Sequence, residues 1–152
     1  MLNEAIRYVM DKEQLVVAAP NTSVREAAQL MASRQVSALV VVDGGRLAGI
    51  FTERDAVFRV MATGRSPEAT VLADVMTRDP LTVTPDETFG YALLLMHENG
   101  FRHMPVVDGG VPIGMVSARD ALDPDLEEFE AEARRRRLIK RNAKDALPGS
   151  KA

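Results

Sequence analysis

The feature that most restricts what this chain can fold into is a duplication. Residues 20–57 align with residues 85–122 at a constant offset of 65 without a gap, and 13 of the 38 pairs are identical. The identities include Leu30-Met31 with Leu95-Met96, Val41-Val42-Asp43-Gly44-Gly45 with Val106-Val107-Asp108-Gly109-Gly110, and Arg54-Asp55-Ala56 with Arg119-Asp120-Ala121. Val9-Met10 and Val75-Met76 extend the match upstream with one gap. A period this long exceeds that of a typical solenoid repeat and indicates a duplicated small domain. One copy is too small to cover its own sheet, so the two copies are expected to pack about a pseudo-twofold axis, with the crevice between them as the natural ligand site.

Each copy reads as a short strand, an amphipathic helix, two strands joined by a tight turn, and another helix. In the first copy, residues 15–18 read as a strand. Ser23-Val24-Arg25-Glu26 then forms a capping box that opens a helix with Val24, Ala27, Ala28 and Met31 on one face, ending near Arg34. The β-rich runs 38–42 and 47–52 flank Asp43-Gly44-Gly45, whose glycines permit the positive φ of a hairpin turn, and the turn recurs as Asp108-Gly109-Gly110. In the second copy a helix from Phe89 ends at Asn99-Gly100. Gly64 and Pro67 mark a linker. The organisation predicted is therefore domain 1 over residues 1–61, a linker over 62–73, domain 2 over 74–122 and a charged helical tail over 123–152. The methionines Met10, Met31, Met61, Met76, Met96, Met104 and Met115 are expected to fill gaps in cores and interfaces.

Composition removes several classes of function. With no cysteine there is no disulfide, thiolate metal site or thiol nucleophile, which fits a cytoplasmic setting. A net charge of -3 provides no general attraction to nucleic acid or anionic membrane. No apolar run reaches the roughly 20 residues of a membrane helix, and the first residues lack the pattern of a signal peptide. Paired metal-binding histidines, a phosphate-binding Gly-x-x-x-x-Gly-Lys loop and a serine elbow are all missing, so no catalytic residue and no metal ligand is assigned. His97, on a helix beside Leu93, reads as a partly exposed structural residue.

The chemistry-bearing segments are Gly49-Ile50-Phe51-Thr52-Glu53-Arg54-Asp55 and Gly114-Met115-Val116-Ser117-Ala118-Arg119-Asp120, each at a strand-to-helix junction. Thr52 and Ser117 fall at the N-cap, where a hydroxyl and free backbone N–H groups at the positive end of a helix can hold a phosphate. Asp55 and Asp120 follow three residues later on the same side, where a carboxylate can accept hydrogen bonds from a ribose diol. Gly49 and Gly114 leave room for a ligand or a neighbouring backbone. The plainer alternative is that Ser/Thr-x-x-Asp only caps the helix. Arg54 and Arg119 are either phosphate contacts or solvated first-turn arginines.

The paired copies, the Val-Met starts, the Val-Val-Asp-Gly-Gly turns and the two Gly-x-x-[Thr/Ser]-x-Arg-Asp segments resemble a pair of CBS domains, also called a Bateman module, over most of the chain. The resemblance implies an α/β (α+β) fold of two β-α-β-β-α repeats packed with pseudo-twofold symmetry. It also implies a regulatory role and an adenosine-type ligand: AMP, ADP, ATP or S-adenosylmethionine. By position, Thr52 and Ser117 would meet phosphate and Asp55 and Asp120 ribose. Ser37-Ala38 and Arg102-His103 would line the clefts, with Val36 and Ser37 completing the Ser117/Asp120 site. Arg102 can grip a phosphate bidentately and His103 can add a donor, while Ser37 and Ala38 bring no charge, so tighter polyphosphate binding is expected on the Ser117/Asp120 side.

A homodimer and a regulated protein partner are further expectations of the resemblance. Beyond it, Asp123-Pro124 opens a last helix whose acidic half, Glu127, Glu128, Glu130 and Glu132, precedes Arg134–Arg137, Lys140 and Arg141. That order suits the helix dipole and reads as a solvated end or as a tail for partner or RNA contact. The alternatives to a ligand sensor are a ligand-free dimerisation or partner-interaction module and, less favoured by the net charge, an RNA-associated one.

Overall fold

A computed structural model of the chain describes residues 2–10, 12–13, 15–121, 135 and 139. The chain divides into two compact units, Met1–Ala118 and Arg119–Ala152, and both hairpins lie in the first. Helix α1 (Ile6–Val9) leads to strand β1 (Val17–Ala18), helix α2 (Val24–Arg34), strands β2 (Ala38–Asp43) and β3 (Arg46–Thr52), and helix α3 (Glu53–Asp55), which runs on as a wider helix over Ala56–Met61. After α4 (Leu72–Val75) and β4 (Thr77–Arg78) come α5 (Phe89–Asn99), β5 (His103–Asp108) and β6 (Val111–Ser117), and β6 continues into a 3-10 turn over Ala118–Ala121. This is the mixed α and β architecture that the duplication predicts. The first strand is shorter than the residues 15–18 expected, and the charged tail lies outside the described residues except for Arg135 and Ile139, which are helical and exposed.

Local chemistry accounts for the elements. The Ser23 hydroxyl accepts from Glu26 N at 3.1 Å while Glu26 Oε2 accepts from Ser23 N at 3.3 Å, so the predicted capping box opens α2. Helix α2 buries Val24, Ala27 and Met31, and α5 buries Phe89, Ala92 and Met96 at the same spacing. Gly100 ends α5 at φ 72, the left-handed position that glycine adopts freely. Gln35 ends α2 in the same conformation at φ 54, with a side chain in place of that freedom.

Both hairpins turn on two glycines of positive φ, and both carry a register shift at the same place, between Val41 and Val42 and between Val106 and Val107. In the first copy the strands form a four-stranded sheet in the order β1-β2-β3-β4. In the second, Val83 bridges to Val106 in parallel, the counterpart of Ala18 with Val41.

The two copies exchange their leading segments. Ile6 N and Arg7 N of α1 donate to Glu87 O and Pro85 O in the second copy, while Leu72 N and Ala73 N of α4 donate to Thr22 O and Pro20 O in the first. The bridge between Ala5 and Thr88 repeats as Ser23 with Val71. Leu72, Val75 and Met76 are therefore part of the core of the first copy with Val16, Met31, Leu39 and Phe51. The segment expected as a linker thus includes a buried helix start, with Thr70 and Leu72 both buried. Each fully buried apolar side chain contributes roughly 1.5–3 kcal/mol, so the exchange makes each copy's stability depend on a segment of the other. Met61 departs from expectation: it is 75% exposed.

Candidate functional site

The candidate residues sit at the end of each hairpin opposite its turn. Ladder pairing sets Ala38 opposite Thr52 and His103 opposite Ser117. Just outside the ladders, Glu53 N donates to Ser37 O at 3.0 Å and Ala118 N donates to Arg102 O at 2.9 Å, one bond in each copy at equivalent positions. These bonds hold the strand starts, and hence Ser37 and Arg102, against the strand-to-helix junctions.

The two hairpins meet at both ends. Ser37 Oγ lies 2.8 Å from His103 Nε2, a half-buried hydrogen bond between the first copy and the second. At the turns, Leu47 N donates to Gly110 O at 3.1 Å and Arg46 Nη1 to Gly109 O at 3.4 Å. The symmetric bond from the second copy is impossible because Pro112, the counterpart of Leu47, has no N–H.

At the first junction Asp55 is engaged on both carboxylate oxygens. Oδ2 accepts from Thr52 N at 2.9 Å and from the Thr52 hydroxyl at 3.1 Å, Asp55 N donates to Thr52 Oγ1 at 3.3 Å, and Oδ1 pairs with Arg59 Nε at 3.5 Å. Arg59 also donates through Nη1 to Val75 O and Met76 O, the end of α4. Asp55 is 8% exposed, so this capping box and ion pair are what keep a buried carboxylate satisfied. Arg59 is absent from the sequence-based candidates, although its position four residues after Asp55 on one helix face is the signal that would have found it.

Arg54 is exposed and stacks over Phe58 with its guanidinium 5.1 Å from the ring centre. Val36 and Ser37 are half-buried, Ala38 is buried, Arg102 is exposed, and His103 and Ser117 are half-buried. Arg119, exposed, and Asp120, half-buried, lie in the 3-10 turn. The structure thus brings Ser37 and His103 into contact and joins Thr52 to Asp55.

The motif glycines accommodate methionines. A Cβ on Gly49 would stand 2.6 Å from Met76 Sδ and 2.8 Å from Thr77 O, and one on Gly114 would stand 2.7 Å from Met10 Sδ. The Val-Met pairs seen in the sequence therefore seat on the glycines of the opposite repeat, a partnership that spacing alone does not disclose.

Among the described residues no group of three or more histidine, aspartate or glutamate side chains is placed to hold a metal ion, and no helix is long and apolar enough to cross a membrane. Away from the hairpins, the hydrogen bond that Arg25 donates to Glu68 at 2.7 Å holds that carboxyl below its ordinary pKa.

Comparison with known proteins agrees with this geometry. The sequence profile of the CBS domain matches residues 6–62 and 72–126. The chain is 49% identical over 92 residues to the meiotically up-regulated gene 70 protein of Schizosaccharomyces pombe, covering 60% of this chain and 13% of that protein. It is 39% identical over 118 residues to the mitochondrial CBS domain-containing protein CBSX3 of Arabidopsis thaliana, covering 74% of this chain and 57% of that one. The chain thus spans less than two thirds of either relative. Among solved structures, the CBS domain pair of protein MJ0100 in complex with 5'-methylthioadenosine and S-adenosylmethionine superposes with a TM-score of 0.71 at 26% identity, over 78% of this chain and 96% of that one. Two tandem repeats with this hairpin register and this pair of profile matches make the chain a member of the CBS domain family.

Proposed function

We propose that this chain is a regulatory module that binds an adenosine-type nucleotide between its two repeats, does no chemistry of its own, and signals by a change in how the repeats are held. The observation that carries the reading is the Ser37–His103 contact, which brings the strand starts of the two copies together, with the exposed Arg102 next to His103 in the chain. Arg102 supplies a planar cation for a phosphate and His103 a ring nitrogen, while the half-buried Val36 offers apolar surface to a base. The adenosyl compounds named for the MJ0100 pair support the ligand class. Binding would shift the module toward the arrangement with higher affinity, and a partner would sense that change.

Arg102 and His103 bring a cation and a ring nitrogen where the first repeat has Ser37 and Ala38, so the site is proposed to be stronger on the side of Arg102, His103 and Ser117. Self-association belongs to the same reading: Val57, Phe58 and Met61 are 47%, 57% and 75% exposed on one short helix, an apolar face suited to a second copy.

Thermal unfolding with AMP, ADP, ATP and S-adenosylmethionine tests the proposal. A ligand that binds only the folded chain must raise the unfolding temperature in step with its concentration. A rise with at least one of the four is expected, and no rise with any would favour a ligand-free interaction module.

A further inference from the structure

We infer that the Ser37–His103 hydrogen bond is a clasp that holds the ligand-free repeats together at one side of the pseudo-twofold axis, and that a phosphate-bearing ligand must open it to bind. The inference rests on the nucleotide reading above and adds a regulatory contact to it.

The clasp follows from a mismatch in the duplication. The 65-residue offset pairs Ser37 with Arg102 and Ala38 with His103, so the bond joins positions that are not equivalents of one another. Its symmetric mate would join Arg102 to Ala38, whose methyl group neither donates nor accepts. One side of the axis is therefore tied, and the other presents a buried Ala38 and an exposed Arg102.

Ser37 and His103 are also held from behind. Ser37 O accepts from Glu53 N, and His103 pairs with Ser117 in the β5–β6 ladder. Two backbone-anchored groups 2.8 Å apart leave no space for a phosphate oxygen between them. A phosphate oxygen that takes Nε2 of His103 must displace the Ser37 hydroxyl from it. The hydroxyl thus competes with the ligand, and ligand entry loosens a link between the repeats. A module that signals by repeat movement needs such a coupling between occupancy and separation.

The competition predicts an unusual gain of affinity from a deletion. Ser37→Ala removes the competing hydroxyl and should tighten ATP and AMP binding about two- to tenfold, the range set by the net worth of one hydrogen bond. Adenosine, which lacks the phosphate, should show no such gain, so the ratio of ATP to adenosine affinity rises. Ser37→Thr keeps a hydroxyl and should not reproduce the gain. His103→Ala should lose ATP affinity even though the clasp is also broken.

Calorimetric titration of the full chain and the three variants with ATP, AMP and adenosine distinguishes the outcomes. A raised ATP-to-adenosine ratio in Ser37→Ala supports the clasp. An unchanged or lowered ratio overturns it while leaving the nucleotide reading intact, because Ser37 would then be a ligand contact or a bystander. No binding by any of the four proteins overturns the nucleotide reading, and the clasp with it.

Discussion

The two repeats share a backbone and differ in the charged side chains they carry at equivalent positions. In the first, Asp55 is closed on itself by Thr52 and Arg59, and Arg59 extends the closure to the carbonyls that end α4. In the second, the position equivalent to Arg59 is Pro124, which has no charge to offer, and the uncharged pair Ser37-Ala38 is replaced by Arg102-His103. Backbone bonds, hairpin bulges and glycine notches are nearly the same in both copies, while the charges are not. Duplication has kept the scaffold while charged side chains at equivalent positions have diverged, and on the proposed reading the phosphate falls to the second repeat.

The shared scaffold is the easier half to break. Ile6 and Leu72 are fully buried equivalents on exchanged helices, so Ile6→Ala and Leu72→Ala should each destabilise the chain by about 2–5 kcal/mol in denaturant unfolding. Each should unfold both repeats in one transition. Separate transitions for the two repeats would show that the exchange does not couple them.

The glycine notches sharpen the comparison. Gly49→Ala sets a methyl against the Thr77 backbone as well as the Met76 sulfur, and should cost about 1–3 kcal/mol. Gly114→Ala has its nearest contacts with the flexible Met10 side chain and should cost less than about 1 kcal/mol. Equal losses would mean that the two notches are not distinguished by what fills them.

At Asp55 the expected loss is about 1–2 kcal/mol for Asp55→Ala, from the cap and the unpaired groups left behind. If Asp55 is mainly structural, ATP affinity should change little once the variant is shown to be folded. A tenfold loss of affinity in a folded Asp55→Ala would move the main site to the first repeat.

The smallest effect concerns the contact between copies. A double-mutant cycle on Ser37→Ala and His103→Ala should give a coupling of about 0.5–1.5 kcal/mol in unfolding experiments. Zero coupling would mean that the bond does not tie the repeats in solution.

Much of this was legible in the sequence because it is local or repeated. The Ser23–Glu26 box, the glycine turns and the Asn99-Gly100 stop act within a few residues, and the 65-residue offset exposed the second copy of each. The Val-Met pairs were visible as a repeat, but nothing local records which sheet a short helix will cover. Leu72 looked like the end of a linker because Gly64 and Pro67 precede it and its burial depends wholly on the other elements. Met61 looked like a gap-filler, but the wider helix turns it outward to 75% exposure. The candidate residues were found through their types, whereas the Ser37–His103 and Asp55–Arg59 contacts depend on three-dimensional placement. Only the second of these had a sequence signal, its four-residue spacing.

The central claim is that an adenosine-type nucleotide binds between the repeats with its phosphate on the second repeat's cation. Calorimetric titration of ATP into the wild-type chain and into Arg102→Ala tests it most directly. The account predicts measurable binding to the wild type and a loss of about tenfold or more in the variant, as expected when a charged hydrogen-bond partner of a phosphate is removed. Binding of equal affinity to both proteins, or no heat from the wild type, would contradict it.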